Sequence, residues 1–325
     1  MVKYSFTPNF AKTEMIADSN KKRALAVKVF KFQGHRDCIY QLEPAGDGKS
    51  FFSAGGDGMI VCWHLDHPDQ GSLVAKVEGS VYSMCFIPET SILLVGQNNE
   101  GIHAIDVNKK ERLASSALGS ISIFDLKVTG GRVYAGTSAG ELVILDVKGL
   151  KTIAKLKLSE SSLRAIAIHP VTGNLALGFS DCSVKIFDTR SGVVTVDWQA
   201  HRLSVFALCW SPDGKFLLSG SRDAKIKCWE WNDRGPECRE IAAHLFAVNH
   251  LVYSPDGEHF LTCSMDKTIK IWSSGDLSLH RVLDKARHAG HGHSVNRLVW
   301  INDDTFASAG DDRIISVWKF QKEQI

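Results

Sequence analysis

A seven-residue signature, Asp-x-x-(Ile/Leu/Val)-x-x-Trp, returns along this chain at nearly constant spacing. Nothing else in the sequence restricts the fold as strongly. Clear copies are DGMIVCW from Asp57, DAKIKCW from Asp223, DKTIKIW from Asp266 and DRIISVW from Asp312. Weaker copies are NEGIHAI from Asn99, AGELVIL from Ala139 and DCSVKIF from Asp181. The anchors at 57, 99, 139, 181, 223, 266 and 312 lie 42, 40, 42, 42, 43 and 46 residues apart. Self-similarity at such a period marks a repeat architecture in which each unit is one supersecondary element.

Residues 200–229 (AHRLSVFALCWSPDGKFLLSGSRDAKIKCW) show what that element is. An apolar run at 207–210, a Pro-Asp-Gly turn, a second run ending at Ser219 and an alternating Lys225-Ile226-Lys227 strand read as an antiparallel meander. A fourth strand completes each period, so the spacing predicts an all-β, seven-bladed propeller of four-stranded antiparallel blades. A blade lies between two neighbours, so its middle strands are buried on both faces and read as continuous apolar runs, as at 91–95. Turn residues fall between the runs, with Pro-Asp-Gly again at 255–257 and Thr172-Gly173 in the fourth unit. The last unit ends after its third strand, while ALAVKVFKF at 24–32 belongs to no unit. The ring is therefore expected to close by pairing of this N-terminal strand in the last blade, which removes an open edge. Residues 1–22 are read as a flexible or loosely docked N-terminal arm, and 23–325 as one propeller domain without an appended one.

Four units share a His, a Ser or Thr, an Asp and a Trp at matching positions. The sets are His35/Ser53/Asp57/Trp63, His201/Ser219/Asp223/Trp229, His244/Thr262/Asp266/Trp272 and His291/Ser308/Asp312/Trp318. An indole N–H only donates, a hydroxyl accepts it and bonds on to imidazole, and a carboxylate takes the remaining ring N–H. The same groups make up a Ser-His-Asp triad, but the fourfold recurrence with a strand-ending Trp, and no nucleophile elbow, speak for structure. No catalytic residue, metal or cofactor is expected.

The pattern resembles the WD-repeat (WD40) β-propeller family, in which Gly-His opens a repeat and Trp-Asp closes it. Gly34-His35 and Gly290-His291 match the opening, and Ala200-His201 and Ala243-His244 come near it. At the close, Ile105-Asp106, Leu145-Asp146 and Phe187-Asp188 keep only the Asp. In the second, third and fourth units the network positions hold Val77/Val95/Asn99/Ile105, Gly119/Ala135/Ala139/Leu145 and Ser159/Leu177/Asp181/Phe187. Donors and acceptors there have largely left together, which costs less than stranding one of them. Those blades are expected to be less rigidly specified.

The resemblance implies that a ring of residues on the first strands and before the turn Asp surrounds one mouth of the central channel. The implied partner-binding residues are Tyr40, Tyr82, Phe124, Arg164, Phe206, Asn249 and Asn296, with Arg222 and Met265 from the turns. Four aromatics in seven equivalent places suit a peptide side chain, including an Arg or Lys over a ring face; the alternative is that the rings plug the channel. The function expected is non-enzymatic: a scaffold that binds protein or peptide partners, itself a monomeric propeller within a complex. The alternative is a substrate-recognition subunit of a larger complex such as a ubiquitin ligase, since Phe187-Asp188-Thr189-Arg190 resembles a Trp-Asp-x-Arg box lacking its Trp.

Composition narrows the partners. With 38 basic and 36 acidic residues the net charge is +2, which provides no electrostatic footprint for nucleic acid. No apolar run reaches membrane-spanning length and no secretory leader is evident, so an intracellular site, cytoplasmic or nuclear, is expected. The eight cysteines fit neither metal-ligand nor disulfide spacing and are read as buried thiols. The His288/His291/His293 segment is read as surface loop, and Lys225, Lys227, Lys267 and Lys270 as solvated edge positions.

Overall fold

Each period folds as its turns and apolar runs dictate, into a four-stranded antiparallel sheet. The structure is a computed structural model that describes residues 2–4, 24–68, 70–232 and 235–322. Blade one is Ile39–Pro44, Ser50–Gly55, Met59–His64 and Ser72–Lys76; blade two runs from Val81–Ile87 to Glu111–Ala117. Blade three spans Ile123–Thr129 to Thr152–Lys157, and blade four Leu163–Ile168 to Val193–Gln199. Blade five spans Val205–Trp210 to Gly235–Ala242, and blade six Val248–Tyr253 to Leu279–Leu283. The first strands touch one another in sequence all the way round, blade seven meeting blade one, so they line the axis.

Blade seven takes three strands, Val295–Asn302, Thr305–Gly310 and Ile314–Lys322, from one end of the chain and Ala24–Gln33 from the other. The register runs from Gln33 opposite Ile314 to Ala24 opposite Lys322, with a bulge between Lys28 and Phe30. The N-terminal strand thus closes the ring, one residue longer than the 24–32 read from the sequence. Of the expected arm, residues 1–22, residue 1 and residues 5–22 lie outside the described residues. Val2–Tyr4 runs parallel to blade four's outer strand, with Val2 opposite Val196.

The core lies between blades as well as within them. Phe32 and Ile315 of blade seven pack with Ile39, Phe51 and Trp63 of blade one, and corresponding clusters recur round the ring. Close approach needs glycine in the second strands. A Cβ on Gly178 would sit 2.8 Å from Val205 of the next blade, and one on Gly220 2.8 Å from Val248. Polar side chains on the first strands add cross-blade ties. Gln41 Nε2 donates to the Met84 carbonyl (3.2 Å), Ser83 Oγ to that of Ile123 (3.0 Å), and Asp125 Oδ2 accepts from Ile166 N–H (2.9 Å).

Candidate functional site

The four sequence-predicted networks form as chains of hydrogen bonds. In blade five, Trp229 Nε1 donates to Ser219 Oγ at 2.8 Å, His201 Nε2 lies 2.8 Å from the same oxygen, and His201 Nδ1 is 3.1 Å from Asp223. Blades one, six and seven repeat this: His35, His244 and His291 meet Ser53, Thr262 and Ser308 at 2.7–2.8 Å. Trp63, Trp272 and Trp318 donate to those hydroxyls at 2.8–2.9 Å. Since the hydroxyl accepts from indole, its own proton goes to Nε2, and Nδ1–H goes to the carboxylate. Burial opposes ionisation of Asp223, but His201 and the N–H groups of Arg202 and Lys225 outweigh it and hold its carboxyl down at about 2. Burial lowers the proton affinity of His201 and His244 although a carboxylate faces each. All four hydroxyl residues are wholly shut off from solvent. Shut off in this way, each set ties the strands of its own blade to the turn that carries the histidine.

Blades two and four, whose network positions have lost most of their donors and acceptors, carry other polar contacts. Blade two builds another chain: His103 Nε2 meets Gln97 Oε1 at 2.9 Å and His103 Nδ1 meets Ser115 Oγ at 2.8 Å. Blade four keeps Asp181, which accepts from Ser159 Oγ (2.5 Å) and Ser183 Oγ (2.6 Å).

The mouth residues owe their direction to one repeated irregularity. In every blade the first strand slips register after its first aliphatic residue, between Ile39 and Gln41, Val81 and Ser83, Ile123 and Asp125, and so on to Val295 and Arg297. The extra residue at each bulge is Tyr40, Tyr82, Phe124, Arg164, Phe206, Asn249 or Asn296. A β-bulge re-aims the side chain it inserts. Here it gathers seven side chains at one end of the channel.

The ring is not uniform. Tyr40 and Tyr82 pack with centroids 4.9 Å apart, and Tyr82 and Phe124 follow at 5.8 Å. Arg164 comes next, its Cζ 4.1 Å from the Phe124 centroid and 5.5 Å from that of Phe206. Its Nε donates to Ser180 Oγ at 3.2 Å, and burial lowers its proton affinity. The chain's own arginine therefore takes the cation seat that the sequence reading left for an incoming Arg or Lys. Beyond Phe206 the mouth opens into a cavity of about 870 Å³. Six of the nine predicted positions line it: Tyr40, Phe206, Arg222, Asn249, Met265 and Asn296. Asn296 Nδ2 donates to Asp311 Oδ1 at 2.7 Å, and Asn249 Nδ2 to Ser294 Oγ at 2.9 Å. Tyr82, Phe124 and Arg164 fill the other side.

Sequence reasoning missed Leu245 and Phe246, which border the cavity and are 83% and 58% exposed. They follow the network histidine of blade six, where the other three networked units place Arg36-Asp37, Arg202-Leu203 and Gly292-His293. An apolar pair at that turn was the available signal.

Other expectations need correcting. Lys225 bonds to Glu240, Lys227 is half-buried over the Trp229 ring (5.5 Å), and Lys270 Nζ donates to the Ala243 carbonyl at 2.5 Å. Of these four lysines, Lys267 alone is in the exposed class. Among the cysteines, Cys228 and Cys263 are buried but Cys238 is exposed and the rest are half-buried; all eight are free thiols. Asp188 is used by its own turn, accepting from the N–H groups of Arg190 (2.8 Å) and Ser191 (3.1 Å), and Arg190 stands exposed there.

The fold is a seven-bladed β-propeller with an open mouth at one end of its channel. The chain belongs to the WD-repeat β-propeller family: the model for the WD domain, G-beta repeat, matches residues 26–64, 192–230, 235–273 and 284–319. The chain is similar to WD repeat-containing protein 90 of Mus musculus, 28% identical over 52% of this chain and 9% of that one. It is also similar to eukaryotic translation initiation factor 3 subunit I of Sclerotinia sclerotiorum (24%, over 60% of this chain and 63% of that one). Striatin-3 of Mus musculus is a third relative (21%, over 66% and 30%). The chain thus spans less than two thirds of the length of each. The crystal structure of the WD40 β-propeller domain of Doa1 superposes with a TM-score of 0.79 at 19% identity, over 93% of this chain and 98% of that one. Among the described residues no helix is long and apolar enough to cross a membrane.

Proposed function

We propose that this protein is a binding platform whose open channel mouth receives a peptide segment of a partner protein. The observation that carries this reading is the cavity beside Phe206, bordered by Leu245, Phe246 and Met265, the last 57% exposed. Large apolar side chains exposed together round a concavity mark a place where burial on binding contributes free energy. The network below serves this mouth by fixing the blades that carry it. The name of one relative agrees with work inside an assembly: it is a subunit of an initiation factor.

The test uses a photo-crosslinking amino acid in place of Phe246, with a second at the exposed Val171 as a control on another part of the surface. A partner captured only from position 246 is then titrated against wild-type protein and the Tyr40→Ala and Phe206→Ala variants. Loss of a central aromatic anchor is worth about 2 kcal/mol or more, so binding is expected to weaken at least ~30-fold with the melting temperature of the platform retained. Unchanged affinity in both variants refutes the mouth as the binding site.

A further inference from the structure

The charges at the mouth are placed asymmetrically. Arg164, Arg202 and Arg222 stand on the blade four and five side, and among the described residues no carboxylate lies within salt-bridge distance of any of these three guanidinium groups. Arg202 and Arg222 are exposed and line the cavity; Arg164 is half-buried, one ring away through Phe206. The carboxylates nearby are already engaged. Asp223 accepts from His201 and from backbone N–H groups, and Asp311 on the blade seven side accepts from Asn296. A partly desolvated guanidinium without a counter-charge is costly. The Phe124 and Phe206 faces offset part of that through their quadrupoles, and they hold the planar group in a fixed orientation. After its Nε bond to Ser180, the Nη donors of Arg164 have no recorded acceptor among the described residues. A preset fork of N–H donors is the arrangement that recognises an anionic oxygen pair.

We propose that the segment entering this mouth carries an anionic side chain, seated on the arginine side, next to a large apolar side chain on Leu245, Phe246 and Met265. This rests on the mouth being the binding site. It reverses the polarity expected from the aromatic ring alone, because the seat for a cation is occupied and a second cation meets three like charges.

A phage-displayed library of random dodecapeptides is selected on the immobilised full-length protein. Recovered peptides are sorted by whether the Phe246→Ser variant abolishes their binding. Those that need Phe246 are expected to share an Asp or Glu within a few residues of an aromatic or long aliphatic residue. Resynthesised with Gln for that Glu, such a peptide is expected to bind at least tenfold more weakly to wild-type protein. The Arg164→Gln and Arg222→Gln variants are expected to lose that discrimination, and Arg164→Lys to keep part of it. Phosphoserine at the same position separates a phosphate preference from a carboxylate preference; either one, if abolished in Arg164→Gln, supports the proposal. Peptides that need Phe246 but carry no acid, or carry Lys or Arg there, overturn the proposal and leave the mouth reading intact. Recovery only of peptides indifferent to Phe246 overturns both.

Discussion

Phe32→Ala is expected to destabilise the propeller by about 3–5 kcal/mol, the usual cost of emptying a large aromatic site in a core. Phe32 is 1% exposed and lies edge-on to Phe51 (5.7 Å) and Trp63 (5.3 Å) across the joint between blades seven and one. The same strand is the only connection, among the described residues, that pairs with the outer edge of Ile314–Lys322. Removing residues 1–33 goes further, exposing that edge and the inner face of blade one together. The expected result is a protein that forms concentration-dependent oligomers in light scattering and loses a sharp unfolding transition in urea. A shortened protein that stays monomeric and melts as wild type would show that the clasp contributes nothing to the ring.

Asp266→Ala is expected to cost about 3 kcal/mol, because it strands donors buried around it. The carboxylate accepts from His244 Nδ1 (2.8 Å), Leu245 N–H (3.1 Å), Thr268 N–H (2.9 Å) and Thr268 Oγ1 (2.6 Å). Blade three shows a cheaper alternative, with Gly119 and Ala139 at the His and Asp positions. Combining Asp266→Ala with His244→Leu should therefore cost less than the sum of the two, by about 1 kcal/mol or more. Strict additivity in urea titrations would argue that the pair is not coupled. The same groups set an acid limit. Asp223 and Asp266 are held below their ordinary value of 3.8, so the stability they contribute is complete above that value and is lost as pH falls below it, through about 2 for Asp223. His201 and His244, lowered from 6.5 by burial, bind protons more readily unfolded, so their effect also appears as pH falls, starting near 6.5. Both act in one direction. The urea midpoint should be level above about pH 7, decline from there to pH 4 and drop more steeply towards pH 2; a midpoint that rises on acidification contradicts this assignment.

The architecture was legible because its cause is local and repeated. A buried indole needs an acceptor near it, and four units solve that need with the same residues at the same offsets. The mouth positions were legible for a related reason, since one bulge in each first strand aims the residue after a fixed aliphatic anchor. What stayed hidden depends on neighbours that the repeat does not specify. Gln97, His103 and Ser115 come together because three adjacent strands of blade two place them side by side, with Val95 and Ser115 opposite His103. The cross-blade ties of Gln41, Ser83 and Asp125 need the relative setting of two blades. The placement of Arg164 between Phe124 and Phe206 needs three, and it changed the sign of the charge the mouth invites.

The closure of blade seven also bears on how the protein is made. Gln33 is synthesised 281 residues before its partner Ile314 (314 − 33). At ~5–20 residues per second the ribosome takes roughly 15–55 s to cover that interval. Throughout it the strand Ala24–Gln33, with Phe30 and Phe32, has no native place to go, while blades one to six are able to form in turn behind it. Until Ile314–Lys322 has been made, the pairing edge of that strand stays unsatisfied, so the ring closes only after synthesis has passed residue 322.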